Sequence, residues 1–239
     1  MKKKAPVAPA MRAGALTGQA EDYLKAIYEM EQGGEPAATT AIAELLGIAP
    51  ASVSGMLQRL ARLGLVQVER YRGARLTHIG RSAALQLIRR HRIIESYLVT
   101  RLGYGWDEVD EEAERLEHGA STDLVERMAA ALGHPTEDPH GAPIPTSEGL
   151  VDERRLQSIA DLAVGQTARV VRMSDRDSEF LRYLAGMGIR PGATVKVAER
   201  EPFEGPVTIT VRGKKHPVGI AAASRVYVES APARRRGRG

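Results

Sequence analysis

Between Thr39 and Thr77 the apolar residues change their period once, from three-to-four to two, and the change falls at Gly64. Thr39 or Thr40 suits the cap of a short helix ending at Leu46, Gly47 suits a turn, and Pro50 suits the opening of a second helix. Val53, Met56, Leu57, Leu60 and Leu63 then recur at helical spacing. Beyond Gly64, the run Leu65, Val66 and Val68, the charged tip Glu69–Gly73 and the return Ala74–Thr77 predict a β-hairpin. Helix, short turn, helix and basic hairpin is the order of a winged helix-turn-helix, whose second helix enters the major groove of DNA.

The charge pattern agrees with that order. Ala49 to Arg81 holds six arginines (59, 62, 70, 72, 75 and 81) against one acid, Glu69. The whole-chain net charge of +4 says less, because Lys2, Lys3, Lys4, Arg234, Arg235, Arg236 and Arg238 lie in two tails. The second helix is expected to expose Ala49, Pro50, Ala51, Ser52, Gly55 and Arg59, with Gln58. Small residues there let the backbone approach the groove, and Ser52 offers a hydroxyl to a phosphate or base edge. Arg72 and Arg75 on the hairpin are expected to reach the flanking phosphates. A helical hairpin with a solvated basic face is the plainer alternative, and it leaves the agreement of topology and charge unexplained.

The rest of the chain reads as further helices followed by strands. A first helix is expected over Gln19–Gln32. A long helix starting within Thr77–Gly80 carries Leu87, Ile88, His91, Ile94, Glu95 and Leu98, and shorter helices are expected from Asp107 to His118 and from Thr122 to Leu132. Pro135, Pro139, Pro143 and Pro145 make His134–Thr146 a connector with fixed φ angles. From Leu156 onward, short apolar runs between Gly and Pro turns suggest a small β-barrel.

With no cysteine in the chain, disulfides, thiol nucleophiles and thiolate metal sites are excluded together. Trp106 to Glu117 holds seven acids against Arg115 alone. Within it Glu114, Glu117 and His118 stand at i, i+3 and i+4, which puts three donors on one helix face. His91 and Glu95 repeat the i, i+4 spacing on the long helix. A surface helix carries such spacings by chance often enough. Two sets on helices expected to pack are harder to dismiss, since converging carboxylates repel unless a cation joins them. Oxygen and nitrogen donors fit Mn²⁺ or Fe²⁺ in near-octahedral geometry, with Zn²⁺ as a further candidate. No run of about 18 apolar residues offers a membrane span, and the Met-Lys-Lys-Lys start leads into Ala and Pro rather than an apolar stretch, so a cytoplasmic location without a membrane partner is expected.

Several stretches resemble the diphtheria-toxin-repressor family, including its manganese-responsive branch: EDYLKAIYEME at Glu21, IAELLGIAPASVSGMLQRLARLGLVQ at Ile42, RGARLTHIG at Arg72, RRHRIIE at Arg89, ERLEHGAS at Glu114 and DPHGAPIP at Asp138. The resemblance spans residues 19 to about 228. It implies a metal-activated, DNA-binding repressor with a primary site of Asp22, Glu114, Glu117 and His118. It also implies an ancillary site of His91, Glu95 and Asp110, completed by Glu179 and Asp177. Asp22 and Glu114 stand where iron-responsive members carry Met and Cys, which favours Mn²⁺ over Fe²⁺. Lys25 stands where the manganese branch has a further carboxylate, which tells against a closely paired two-metal site.

GMGIRPG at Gly186 resembles an SH3-like or FeoA-like barrel. The expected architecture is therefore mainly α with a small β component. A basic tail (1–16) precedes a winged helix-turn-helix domain (17–81), a helical dimerisation and metal-binding domain with the connector (82–150), an SH3-like domain (151–230) and a second basic tail (231–239). Both tails are expected to be disordered. The partners implied are double-stranded operator DNA and a second copy of the chain, because two-fold readers match palindromic half-sites. A metal-dependent enzyme is the alternative of a different class, but the chain shows neither a supporting nucleophile nor a phosphate loop.

Overall fold

A computed structural model describes residues 16–152, 154–174 and 177–230 of the chain. The two expected basic tails lie outside the described residues, Leu16 apart. The chain forms two compact units. Among the described residues, one comprises 16–91, 117–127 and 145–151, and the other 92–116, 128–144 and those from 152 to 230.

In the first unit, α1 (Gly18–Glu31) begins where the Thr17 side chain accepts the Ala20 N–H. Its buried Tyr23, Leu24 and Ile27 pack with Ile42 of α2 (Thr39–Leu46), Val53, Leu57 and Leu60 of α3 (Pro50–Arg62), and Leu65. The predicted hairpin is present as β1 (Val66–Glu69) and β2 (Gly73–Leu76), antiparallel, with Val66 opposite Leu76 and Glu69 opposite Gly73. The hairpin is seated on the strand-like residue Ala37, which exchanges both backbone hydrogen bonds with Ala74 at 2.8 and 2.9 Å. Gly73 permits this seat. Its φ is +118°, and a Cβ there would lie 2.0 Å from the Ala37 carbonyl oxygen. Glu31, the last residue of α1, accepts the Leu76 N–H at 2.8 Å, so the C-terminal end of α1 is tied to the wing. The long helix α4 (His78–Tyr97) follows.

In the second unit, the last turns of α4 pass into a π-helical turn, Leu98–Leu102, that ends at Gly103. Helix α5 (Val109–Glu117) belongs to this unit up to Leu116, and α6 (Thr122–Ala131) begins in the first unit and ends in the second. The C-terminal part is a six-stranded antiparallel sheet in the order β3-β8-β4-β5-β6-β7, where β3 is Gln157–Ser158, β4 Thr167–Met173, β5 Thr194–Arg200, β6 Val207–Val211, β7 Lys214–Val218 and β8 Val226–Ser230. Val170, Val195, Val197, Ile209 and Val228 supply its core beneath α7 (Ser178–Gly186), and α8 is the short Ile220–Ala223.

The expected barrel is not closed among the described residues, because β3 and β7 are unpaired edges of an open sheet. Lys214, Lys215 and Pro217 in β7 are the residues that keep such an edge from pairing. The connector crosses this unit as a loop laid on β4. The Met173 N–H donates to the His140 carbonyl at 3.1 Å, and Gly141, at φ +84°, would place a Cβ 1.8 Å from the Val171 carbonyl oxygen. No single described helix is long and apolar enough to cross a membrane.

Candidate metal centres and nucleic-acid interface

In the first unit Asp22, Glu117 and His118 converge, with one donor atom of each within 4.8 Å of the others. Asp22 stands in the second turn of α1, and Glu117 is the last residue of α5. His118 Nε2 is 3.3 Å from Asp22 Oδ1 and 3.9 Å from Glu117 Oε1. Glu114 lies one turn earlier on α5, at the i−3 and i−4 positions from these two donors.

Positive groups surround the cluster. The Lys25 ammonium bonds Glu117 Oε1 and lies 3.9 Å from Asp22 Oδ1. His91 Nδ1 meets Glu117 Oε2 at 2.9 Å, so both oxygens of a carboxylate only 2% exposed are engaged. Burial alone would push the Glu117 carboxyl up. The hydrogen bond and charge of His91, joined by Lys25, more than offset it and hold Glu117 below the ordinary carboxylate range.

In the second unit a different set assembles around Glu95, which is fully buried near the end of α4. Glu95, Asp138 and His140 each offer a donor within 4.8 Å of the others, and Asp110 at the start of α5 brings a carboxylate oxygen equally close to Glu95. His140 is oriented by its Nε2, 2.6 Å from the Trp106 carbonyl. Its buried Nδ1 makes no hydrogen bond among the described residues and faces Glu95 Oε1 at 3.7 Å. A neutral imidazole that donates through Nε2 presents a lone pair at Nδ1, which is the state of a metal ligand. Asp138 Oδ1 accepts the backbone N–H groups of His140 and Ala142 at 2.8 and 2.9 Å, and Arg92 stands 3.3 Å from its Oδ2.

Of the ligands expected for an ancillary site, Glu95 and Asp110 are brought together here, and His91, one turn before Glu95 on α4, offers a donor to the same set while also bonding Glu117. Asp177 caps α7 through the Phe180 N–H at 3.0 Å and lies 3.4 Å from Arg225, with Glu179 in the first turn of the same helix. Neither belongs to the group that forms around Glu95 among the described residues. Sequence reasoning missed Asp138 and His140. The signal was a histidine and an aspartate in a proline-fixed loop, DPHG, with no apolar pattern to serve.

The reading face of the winged helix-turn-helix is open. Ala49, Pro50, Ala51, Ser52, Gly55 and Arg59 are all exposed on α3 or at its start. A side chain at Gly55 would meet no atom within 4 Å. The two hairpin arginines differ: Arg75 turns back onto Glu69 and the Gly34 carbonyl, while Arg72 pairs with the exposed Glu35. The wing tip adds Arg70, stacked at 4.8 Å over the exposed Tyr71.

Comparison with known proteins matches three successive stretches. Residues 15–74 match the iron dependent repressor N-terminal DNA binding domain, 77–146 the iron dependent repressor metal binding and dimerisation domain, and 157–230 the FeoA domain. The iron-dependent repressor IdeR of Mycobacterium tuberculosis is 34% identical over 216 residues, covering 84% of this chain and 92% of that protein. The diphtheria toxin repressor of Corynebacterium diphtheriae is 30% identical over 210 residues, covering 83% and 91%. Among solved structures, a manganese-dependent transcriptional repressor in complex with manganese superposes with a TM-score of 0.82 at 38% identity, covering 89% of this chain and all of that one. ScaR with bound Zn²⁺ gives 0.79 at 31%, covering 89% and 99%.

Proposed function

The chain belongs to the family of metal-dependent transcriptional repressors that contains IdeR and the diphtheria toxin repressor, and on that premise we propose that it represses manganese or iron uptake genes with Mn²⁺ as its preferred activator. Members of this family are DNA-binding regulators rather than enzymes. The observation that carries the reading is the meeting of Asp22, from the helix that leads into the DNA reader, with Glu117 and His118.

The donor set fits a divalent cation of the hard or borderline class, being carboxylate and imidazole without sulfur. Asp22, Glu117 and His118 would hold it, with Glu114 from the preceding turn of α5 as a fourth ligand. A cation bound there supplies the charge that lets these carboxylates stay together. The ancillary site of the same proposal keeps the expected His91, Glu95 and Asp110 and adds Asp138 and His140, with Asp177 and Glu179 left at the start of α7.

The chain's own residues carry the coupling to DNA. Asp22 ties α1 near one end. Glu31 ties the other end to the wing through Leu76. A site that fixes Asp22 therefore fixes α1, and with it the reader α3 and wing, which selects one arrangement from those the free chain samples. By linkage, DNA raises metal affinity by the same factor that metal raises DNA affinity.

We further place the reading face at Ala49, Pro50, Ala51, Ser52, Gly55 and Arg59, with Arg72 and the tip residue Arg70 on phosphates. The active species is a cytoplasmic homodimer on palindromic DNA, with residues 17–81 reading DNA, 82–150 dimerising and sensing, and 151–230 forming the FeoA-like part. The test is binding to a duplex selected from a random pool by the Mn²⁺-loaded protein, titrated with Mn²⁺, Fe²⁺ and Zn²⁺ in parallel. Metal-stimulated binding that is lost in Asp22→Ala supports the reading. Binding that ignores metal, or that Asp22→Ala leaves intact, overturns it.

A further inference from the structure

His118 lies one residue past the last helical residue of α5, beyond the turns of the helix that carries Glu117. Its ring is nevertheless fixed on two sides by the start of α1. Nδ1 is 2.9 Å from Glu21 Oε2, and the ring lies against Gly18, where a Cβ would fall 3.1 Å from Cγ and 3.2 Å from Cδ2 and Nδ1. Gly18, Glu21 and Asp22 stand at i, i+3 and i+4 and therefore share one face of α1. That face provides a floor, an acceptor and a neighbouring donor atom for one imidazole.

Glu21 is itself held. It is only 8% exposed, and Arg90 stands 3.4 Å from the same Oε2. The same Arg90 nitrogen donates to the Glu117 carbonyl at 2.9 Å, so one guanidinium fixes both the acceptor and the backbone immediately before His118. With Nδ1 turned to Glu21, the ring directs Nε2 to the other side, 3.3 Å from Asp22 Oδ1.

We propose that Glu21, fixed by Arg90, and Gly18 are positioning residues that set the orientation of His118, so that Nε2 is turned toward Asp22 before any metal arrives. The proposal rests on the metal reading of the Asp22 cluster. It gives the first turn of α1 a second role beside supplying Asp22: the DNA-reading module builds the socket in which the sensing histidine sits.

The experiment uses the full chain. In the metal-free protein, long-range proton–nitrogen NMR of His118, assigned by its disappearance in His118→Ala, should show a proton on Nδ1, the nitrogen facing Glu21. Calorimetric titration with Mn²⁺ should show Glu21→Ala weakening one site by about 10- to 100-fold, the range found when an outer partner of a metal-bound histidine is removed. Glu21→Gln, whose amide oxygen accepts the same proton, should restore most of that loss, and Gly18→Ala should weaken the site while leaving Glu21 in place.

A bare Nδ1 in the wild type, or Mn²⁺ affinity in Glu21→Ala within twofold of wild type, overturns the proposal. Should Glu21→Ala fail to fold, Gly18→Ala and the wild-type Nδ1 proton decide. An Asp22→Ala variant that keeps all its Mn²⁺ equivalents would sink the metal reading instead. The metal-free NMR result answers for the positioning of His118 in either case.

Discussion

The two donor clusters differ in how they keep negative charge buried. Around Glu117 the protein supplies its own cations: Lys25 takes one carboxylate oxygen, His91 the other, and Arg90 the backbone carbonyl. Around Glu95 the donors are deeper, the cation beside them is Arg92 at Asp138, and His140 directs an Nδ1 that makes no hydrogen bond among the described residues toward a carboxylate. On the proposed reading, an ion at the first cluster shares Glu117 with the Lys25 ammonium. A cluster held by several of the protein's own cations suits a reversible sensor, whereas one whose imidazole and carboxylates are fully buried suits an ion that stays and supports structure.

Exchanging the histidines is the most direct way to break that contrast. His118→Ala should lower metal-stimulated operator affinity by about 100-fold, and His140→Ala by about fivefold, the upper and lower parts of the range for coupled sites. The read-out is fluorescence anisotropy on the selected duplex with saturating Mn²⁺. Equal losses would erase the distinction between sensor and support. The next effect is on stability: in the metal-free protein Lys25→Met strips Glu117 of its ammonium while both side chains are buried, and should cost about 3 kcal/mol, the low end for breaking a buried pair because His91 remains. Mn²⁺ should recover most of it, seen as a larger metal-induced shift of the urea midpoint than in wild type. A metal-free midpoint equal to wild type would show that Lys25 counters nothing.

The clusters also differ in how far they could be read from sequence. Glu114, Glu117 and His118 declared themselves because helical spacing converts sequence distance into a shared face. Asp22 lies far from them in sequence and entered only through resemblance to a known family. Asp138 and His140 sit in a loop, where no period relates sequence to direction, and the prolines that marked the loop as a connector concealed its donors. The same physics sorted the fold. The winged helix-turn-helix was legible from its change of period at Gly64. In contrast β7, with Lys214, Lys215 and Pro217, lacks the alternating apolar signature because it is an edge, and the open sheet was mistaken for a barrel for that reason. Helix α7 was missed between the glycine turns that dominate this stretch.

A smaller effect separates the two hairpin arginines. Arg72 is itself largely exposed and pairs with the exposed Glu35 and the half-buried Glu69, so Arg72→Ala should flatten the dependence of log affinity on log salt by about one unit, as for one lost phosphate contact. Arg75 is committed to Glu69 and the Gly34 carbonyl, so Arg75→Ala should leave the salt slope nearly unchanged while lowering the unfolding midpoint. Equal slope changes in the two variants would return both arginines to the DNA.

The smallest expected effect tests why Glu117 and Glu31 titrate in opposite directions within one unit. Glu117 has a hydrogen-bonded imidazole and ammonium, and is held below the ordinary carboxylate range. Glu31 accepts the Leu76 N–H, and Arg75 and Arg81 add favourable charge, yet its loss of hydration outweighs them and its carboxyl is pushed up from 4.5. A carboxyl raised on folding lends its stability below the unfolded pKa, and that stability is lost as pH rises through the folded pKa. Wild-type protein at neutral pH therefore carries a cost that Glu31→Gln removes, since the amide oxygen still accepts the Leu76 N–H. Urea unfolding at pH 4 and pH 7 should show the variant gaining on wild type as pH rises, with operator affinity little changed. A variant that loses ground toward pH 7 would mean that Arg75 and Arg81 outweigh burial, and that Glu31 follows the same rule as Glu117.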